Sequence, residues 1–520
     1  MKKLLFLALA GMMLLSGCAS APETEGNENV APETPAENSA DVIVVGAGGA
    51  GMTAAIEAAD AGKTVIIIEK AGMTGGNTTR STGGMNAAVT PNQDSNEFGE
   101  DAGIEKVLHN AEQYPELAEL AATVAKQYEE YKANPEGYFD SYELYTLDTL
   151  VGGKNLNDHE LVNVLATQAA DGIEWLKTIG ADLTSVGSFG GASVKRIHKP
   201  LNDEGKTVAV GSYLVPKMTQ ACEDKGVKIL LDTEATELVV TDGVVTGVKA
   251  GDTTYTAKSV VLATGGFAFN TEMVLEYKPE YKGFVCTNAP TITGDGIKMA
   301  QAVGADTVDM DQIQIHPTVS QATSALITEG LRGDGAILVN SEAKRFFDEV
   351  STRDAVSAAE VAQPGGFAWL IVDSKMAEKS NVIQGYIKKK LTVEGEDLNA
   401  LAAAMEVDAA TLTETMDKWN ACVEAGKDEE FGRTSFAEKL DKAPYYGIKV
   451  APGVHHTMGG LKINTNTEVL NAEGNVIPGL YAAGEITGGV HGANRLGGNA
   501  VADIIVFGRI AGQQAAAFAK

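Results

Sequence analysis

Charged residues stand where the chain reads as core. The stretch "LITEGLRGDGAILVN" (326–340) begins like a buried strand at Leu326 and Ile327. It then carries Thr328, Glu329, Arg332 and Asp334 among glycines and turns apolar again from Ala336 to Val339. "STRD" (351–354) adds Arg353. A buried charge is costly unless it is paired or used, so two guanidiniums and a carboxylate here call for a partner or a task. Further residues able to do chemistry are His316 in "QIHPT", His455 and His456 in "GVHHTMGG", and Arg495 in "ANRLGG". Taken singly, each has a plainer reading. His316 suits a loop or core histidine. Glu329 and Arg332, three apart, suit a solvated helical pair. Arg353 beside Asp354 suits a surface ion pair. The two adjacent histidines have no Asp, Glu or Cys at ligand spacing, so no metal is expected.

Elements able to position such groups begin at residue 41. In "DVIVVGAGGAGMTAAIEAADAGKTVIIIEK" (41–70), Val42–Val45 is a short apolar strand and Gly46, Gly48 and Gly51 form G-x-G-x-x-G. A helix is expected over 52–61, stopped by Gly62, and a second strand over 64–68. Such glycines permit a tight turn and bring backbone close to a pyrophosphate at a helix N-terminus. Glu69 stands where a ribose-binding acid is expected, which favours FAD or NAD over NADP. Two later segments select FAD. "SVVLATGGF" (259–267) is a buried strand ending in paired glycines. "GLYAAGEITGGVHGANRLGGNAVADIIVFGRIAG" (479–512) is a strand, a Gly-rich loop with Glu485, Arg495 and Asn499, and a helix beginning near Asn499. A loop that gathers backbone N–H groups at a helix N-terminus suits an extended anion or the pyrimidine edge of a flavin.

With "GGNTTRSTGGMNAA", "QIHPT", "STRD", "GVHHTMGG" and "AAGEITGGVHGANRLGGNA", the chain resembles the flavoprotein of the fumarate reductase and succinate dehydrogenase superfamily, most closely its soluble flavocytochrome c type branch. The resemblance spans about residues 41–520. It implies an α/β fold: a split Rossmann-like FAD-binding domain (41–311 and 445–520) with an inserted α+β capping domain (312–444). It places Gly46, Gly48, Gly49, Gly51, Glu69, Asn77, Thr78, Gly83, Gly84, Ala235, Gly265, Asp295, His456, Glu485, Ala500 and Val501 around FAD. His316, Thr328 and Glu329 on one side, and His455, Arg495 and Gly498 on the other, would hold a dicarboxylate once the cap closes. Arg353 would be the acid that protonates the substrate, fed by Glu329 and Arg332. An arginine rarely deprotonates, but the proton is needed only as carbanion charge develops beside it, and a neighbouring carboxylate can resupply it.

Departures from that pattern refine the expectation. No His lies in 80–82, so non-covalent FAD is expected. No C-x-x-C-H is present, so no attached haem is expected, and no second dinucleotide fingerprint appears. Electrons would then come from outside: a membrane haem protein, an FMN-bearing protein or a reduced diffusible carrier. The substrate expectation is fumarate, which becomes succinate. Leu326 stands where some fumarate reductases have Met, which leaves a methacrylate-, urocanate- or aryl-acrylate-like enoate as an alternative. A non-enoate flavin dehydrogenase or an electron-carrier flavoprotein on the same scaffold are the other readings.

The N-terminus reads separately. "MKKLLFLALAGMMLLSGC" has two lysines, an apolar run suited to a signal peptide rather than a membrane span, and a lipobox-like "LLSGC". The expectation is a signal peptide over 1–17, lipidation at Cys18 and a flexible tether over 18–40, which is rich in Pro, Glu and Asn. That makes a lipid-anchored protein of the cell envelope, outside the cytoplasm. A formal charge of -29 disfavours nucleic acid as a partner, as well as polybasic attachment to a membrane. With 520 residues, 44% of them hydrophobic, the chain can build more than one core. Four cysteines are too few for a disulfide scaffold.

Overall fold

The computed structural model describes residues 37–520. The signal-peptide expectation, Cys18 and the tether up to residue 36 lie outside the described residues. The tether reading runs too far at its other end. Thr256 N–H donates to Asn38 O and Ala40 N–H to Thr256 O, each at 3.0 Å. Residues 38–40 therefore lie along the strand Thr253–Thr256, and Ala40 is buried.

The largest sheet has six strands in the order Glu468–Leu470, Val476–Ala482, Ser259–Leu262, Val42–Val45, Val65–Ile68, Lys228–Leu230. All pairs are parallel except the first. Every residue of the three central strands is buried, as expected of a parallel sheet covered on both faces. Full burial of each Val or Ile contributes about 1.5–3 kcal/mol. One covering layer is the helix Gly49–Asp60, which starts before residue 52 because the glycine motif itself forms its first turn. Against it lies the helix Asn499–Phe518, at the start expected for it. The two backbones meet closely at glycines: a Cβ on Gly512 would sit 2.3 Å from Ala54 O.

A second apolar cluster, drawn from residues 327–450 around the fully buried Trp419, surrounds an antiparallel sheet. Its order is Ile313–Val319, Tyr445–Thr457, Ala368–Asp373, Ile337–Val339. Tyr445–Thr457 binds the two halves of the molecule: its first part pairs with Ala368–Asp373 and its second with Ile313–Val319. In that second ladder Gln314 pairs with His456 but Ile315 pairs with Val454, so His455 is an extra, bulged residue. The strand expected from Leu326 does not form. Leu326 makes a single bridge to Val319, and the chain then winds into the short helix Gly330–Gly333. Close packing explains this turn, since a Cβ on Gly333 would meet Ser188 O at 2.7 Å. The turn brings Glu329 and Arg332 to one side. The helix Arg353–Val361 follows.

Candidate active site

Two cavities adjoin, and Asn77, Thr78, Glu485 and Ile504 wall both. The first, of about 810 Å³, is lined by Gly46, Gly48, Gly49, Glu69, Asn77, Thr78, Ala235, Gly265, Asp295 and Glu485. Its floor is the start of the helix Gly49–Asp60, whose N-cap residue, Gly48, has no side chain to cap it. The first-turn N–H groups there suit a phosphate. A Cβ on Gly48 would meet only Gly75 O, at 4.0 Å, whereas one on Gly46 would lie 2.3 Å from Ala263 O. Gly51 does not line the cavity. It packs beneath the turn, where a Cβ would lie 1.9 Å from Gly46 O. Glu69 accepts from Ala47 N–H and Ala71 N–H at 2.8 Å, which fixes its carboxylate at the cavity wall. Thr78 Oγ1 accepts from Gly49 N–H at 3.0 Å. Asn77 Nδ2 donates to Glu485 Oε2 at 3.0 Å. Asp295 is paired with Lys70. The glycine turn, the helix N-terminus and the ribose-side carboxylate together fit FAD.

The second cavity, of about 880 Å³, gathers Gly83, Gly84, His316, Thr328, Glu329, Arg353, His455, His456, Arg495, Gly498, Ala500 and Val501. Consecutive strand residues ordinarily face opposite sides. The bulge at His455 re-aims the chain so that His455 and His456 both line this cavity. Arg353 donates from Nε and Nη2 to Glu329 Oε2 at 2.8 and 2.5 Å. The other oxygen, Glu329 Oε1, accepts from Arg332 Nη2 at 3.1 Å. All three residues are buried, and the pair is not solvated. Arg353 does not pair with Asp354, whose partner is Lys154 at 2.6 Å. Arg495 is also buried; among the described residues its guanidinium makes one hydrogen bond, to Leu496 O at 3.1 Å, and Nε has no partner. His456 Nε2 is likewise buried without a partner among the described residues.

The chain matches the FAD binding domain family over residues 41–134 and 130–501. It belongs to that family. It is 42% identical over 486 residues to "Fumarate reductase (cytochrome)" of Shewanella frigidimarina, covering 92% of this chain and 77% of that one. It is 35% identical to "Urocanate reductase" of Eggerthella lenta, covering 97% of this chain and 79% of that one. Among solved structures it is similar to the open conformation of a flavocytochrome c3 fumarate reductase, at TM-score 0.69 and 40% identity. That likeness covers 93% of this chain and 79% of the other. The protein is an FAD-dependent oxidoreductase acting on CH–CH bonds, with the α/β fold of the fumarate reductase and succinate dehydrogenase flavoproteins.

In this flavoenzyme the second cavity sets the Arg353 and Arg495 guanidiniums beside the Glu329 carboxyl. Burial pushes the Glu329 carboxyl up, but Arg353 and Arg332 outweigh it and hold it below the usual range, as an anion. Burial, then the charge of Arg353, drives both His316 and His455 well below the usual histidine value, so both rings are neutral. His316 Nδ1 accepts from Thr318 N–H at 3.2 Å, which leaves Nε2 as the ring's N–H donor. Burial, then Arg353, lowers Arg495 to about 9, so it remains a cation at neutral pH. Residues that sequence reasoning left without a role complete the site. Gln314 Oε1 accepts from Arg353 Nη1 at 2.8 Å, while Gln314 Nε2 donates to Arg495 O at 2.8 Å. Thr287 Oγ1 meets His455 Nδ1 at 2.7 Å. Tyr386 Oη accepts from Thr328 N–H at 2.9 Å. Phe189 forms a wall. Of these, Gln314 alone stood inside a quoted motif.

Proposed function

We propose that this flavoprotein reduces the double bond of an α,β-unsaturated carboxylate, with fumarate as the substrate that fits best. The observation that carries the reading is the unspent charge of Arg495 opposite the Arg353–Glu329–Arg332 chain. A buried guanidinium with one carbonyl partner calls for an anion. His455 and Arg495 take one carboxylate, and His316 and Thr328 take the other. A monocarboxylate would leave one set of donors unpaired. Bound reduced FAD supplies the hydride to the β-carbon. Arg353 gives a proton to the α-carbon, recovers it through Glu329 from Arg332, and leaves a saturated dicarboxylate. Neutral His316 polarises its carboxylate by hydrogen bonding from Nε2 without competing for the proton.

The 312–444 segment acts as a cap in this reading. It brings Thr328 and Arg353 over the flavin when substrate binds, and its closure excludes water. FAD is held without a covalent bond, and electrons enter from a separate donor. Lipidation at Cys18 holds the protein at the cell envelope. A bulkier enoate, such as urocanate, is the second reading. It draws on Leu326 at the cavity wall and on the likeness to a urocanate reductase. The test is anaerobic: reduce the flavin, add fumarate, urocanate, methacrylate or an aryl acrylate, and follow reoxidation. Rapid reoxidation by fumarate supports the first reading and by urocanate the second. Reoxidation by redox proteins and by no enoate overturns both and leaves an electron carrier.

A further inference from the structure

The bulge takes His455 out of the ladder with Ile313–Val319, so its carbonyl and its ring need partners from elsewhere. The segment 285–288 supplies them. It runs parallel to the bulge, bridged at Cys286 and Val454. Val454 N–H donates to Val285 O at 2.8 Å, and Thr287 N–H donates to Val454 O at 3.0 Å. Asn288 Nδ2 donates to His455 O at 2.7 Å, while its Oδ1 accepts from Asn77 Nδ2 on the wall of the FAD cavity. The ring is held by the buried Thr287, whose Oγ1 lies 2.7 Å from His455 Nδ1. A neutral imidazole carries one N–H, so the bond made by one nitrogen decides what the other offers. Thr287 has one hydroxyl proton and a choice of two acceptors, His455 Nδ1 at 2.7 Å and Val454 O at 3.3 Å. Val454 O already accepts the Thr287 N–H. The proton therefore goes to the nearer, unserved acceptor, the ring nitrogen.

We propose that Thr287 is a positioning residue: its hydroxyl donates to His455 Nδ1 and so holds His455 as the Nε2–H tautomer, with that N–H free for a substrate carboxylate. This deepens the enoate-reductase reading and rests on it. The other tautomer would turn a lone pair toward the anion, which loses a hydrogen bond and adds repulsion. His316, whose ring centre is 5.0 Å from that of His455, is set in the same way by Thr318 N–H at its Nδ1. Both rings are neutral, so each offers one N–H to the cavity they line. The two differ in what sets them. Thr318 uses its main chain, whereas Thr287 uses a side chain, so a substitution can release the tautomer at His455 alone. Thr287 acts through His455.

Nitrogen NMR of the histidine-labelled holoenzyme, without substrate, reads the tautomer directly; the His455 signals are those that His455→Gln lacks. The wild type should show an Nε2–H ring at His455, and Thr287→Val should lose that preference. Val keeps the shape of Thr without the hydroxyl, whereas Thr287→Ser keeps the hydroxyl without the methyl. If Thr287 only packs, Ser is the worse replacement; if its hydroxyl sets His455, Val is. Thr287→Val should raise KM for fumarate, and Kd for succinate read from flavin absorbance, by about tenfold or more, with kcat changed far less. Thr287→Ser should stay within about threefold of the wild type on both. An Nδ1–H ring at His455 in the wild type would overturn the proposal, as would a Thr287→Val protein that binds succinate as tightly as the wild type. A wild type that binds no dicarboxylate sinks the functional reading instead, while the NMR measurement still decides which way the Thr287–His455 hydrogen bond runs.

Discussion

At the scale of residues, the site separates a buried charge that is paired from one that is not. Glu329 is saturated by Arg353 and Arg332, whereas the Arg495 guanidinium has one carbonyl partner among the described residues. Arg353→Ala should therefore cut fumarate turnover by about 10²-fold or more. FAD should stay bound and reducible, as absorbance during anaerobic titration will show. Arg353→Lys should keep a trace, since an ammonium can donate but lacks the fork that grips Glu329 and Gln314 together. Arg495 makes a separate prediction in pH. Its value is lowered to about 9, so the cation is present below that pH and is lost as pH rises through it. The kcat/KM for a dicarboxylate should fall above about pH 9 in the wild type. That ratio reports the free enzyme.

At the scale of elements, two local devices aim the chemistry. The bulge in Tyr445–Thr457 turns His455 toward the same cavity as His456. The short helix Gly330–Gly333 sets Glu329 and Arg332 side by side and permits Glu329 to bridge two arginines. Glycine has a third task in the crossing of Gly49–Asp60 with Asn499–Phe518. Gly512→Val would drive a side chain into Ala54 O, 2.3 Å from where its Cβ must lie. The expected loss is about 1–3 kcal/mol from overpacking, read as a lower Tm, with weaker FAD retention because both helices begin at the cofactor. An unchanged Tm would mean that the helices can separate without strain.

At the scale of the whole molecule, the FAD-facing core and the second core are joined by one long strand, Tyr445–Thr457. The proposed substrate-contacting residues stand on both sides of that junction: Thr328 and Arg353 with the second core, His455 and Arg495 with the flavin side. Two predictions belong here. Acid precipitation should release the yellow flavin into the supernatant, since no histidine stands at 80–82. Flavin retained in the pellet would require another point of attachment. Cys18→Ser should move the protein from the membrane fraction to the soluble one, and unchanged fractionation would remove the lipid anchor from the account.

The glycine-turn part of the FAD cradle was legible in the sequence because its parts are neighbours along the chain. Strand, glycine turn, helix, strand and Glu69 fall within 41–69, and each contact is short-range or follows from the parallel sheet that buried Val and Ile runs demand. The substrate side was legible only as segments. His316, Glu329, Arg353, His455 and Arg495 were identified by resemblance, yet residue types alone left each open to a plainer role. Tertiary structure removed the solvated helical pair and the Arg353–Asp354 surface pair, because burial and pairing are not local properties. The bulge at His455 depends on register with a strand more than a hundred positions away. Gln314 acquires its task only when Arg353 and Arg495 arrive on either side.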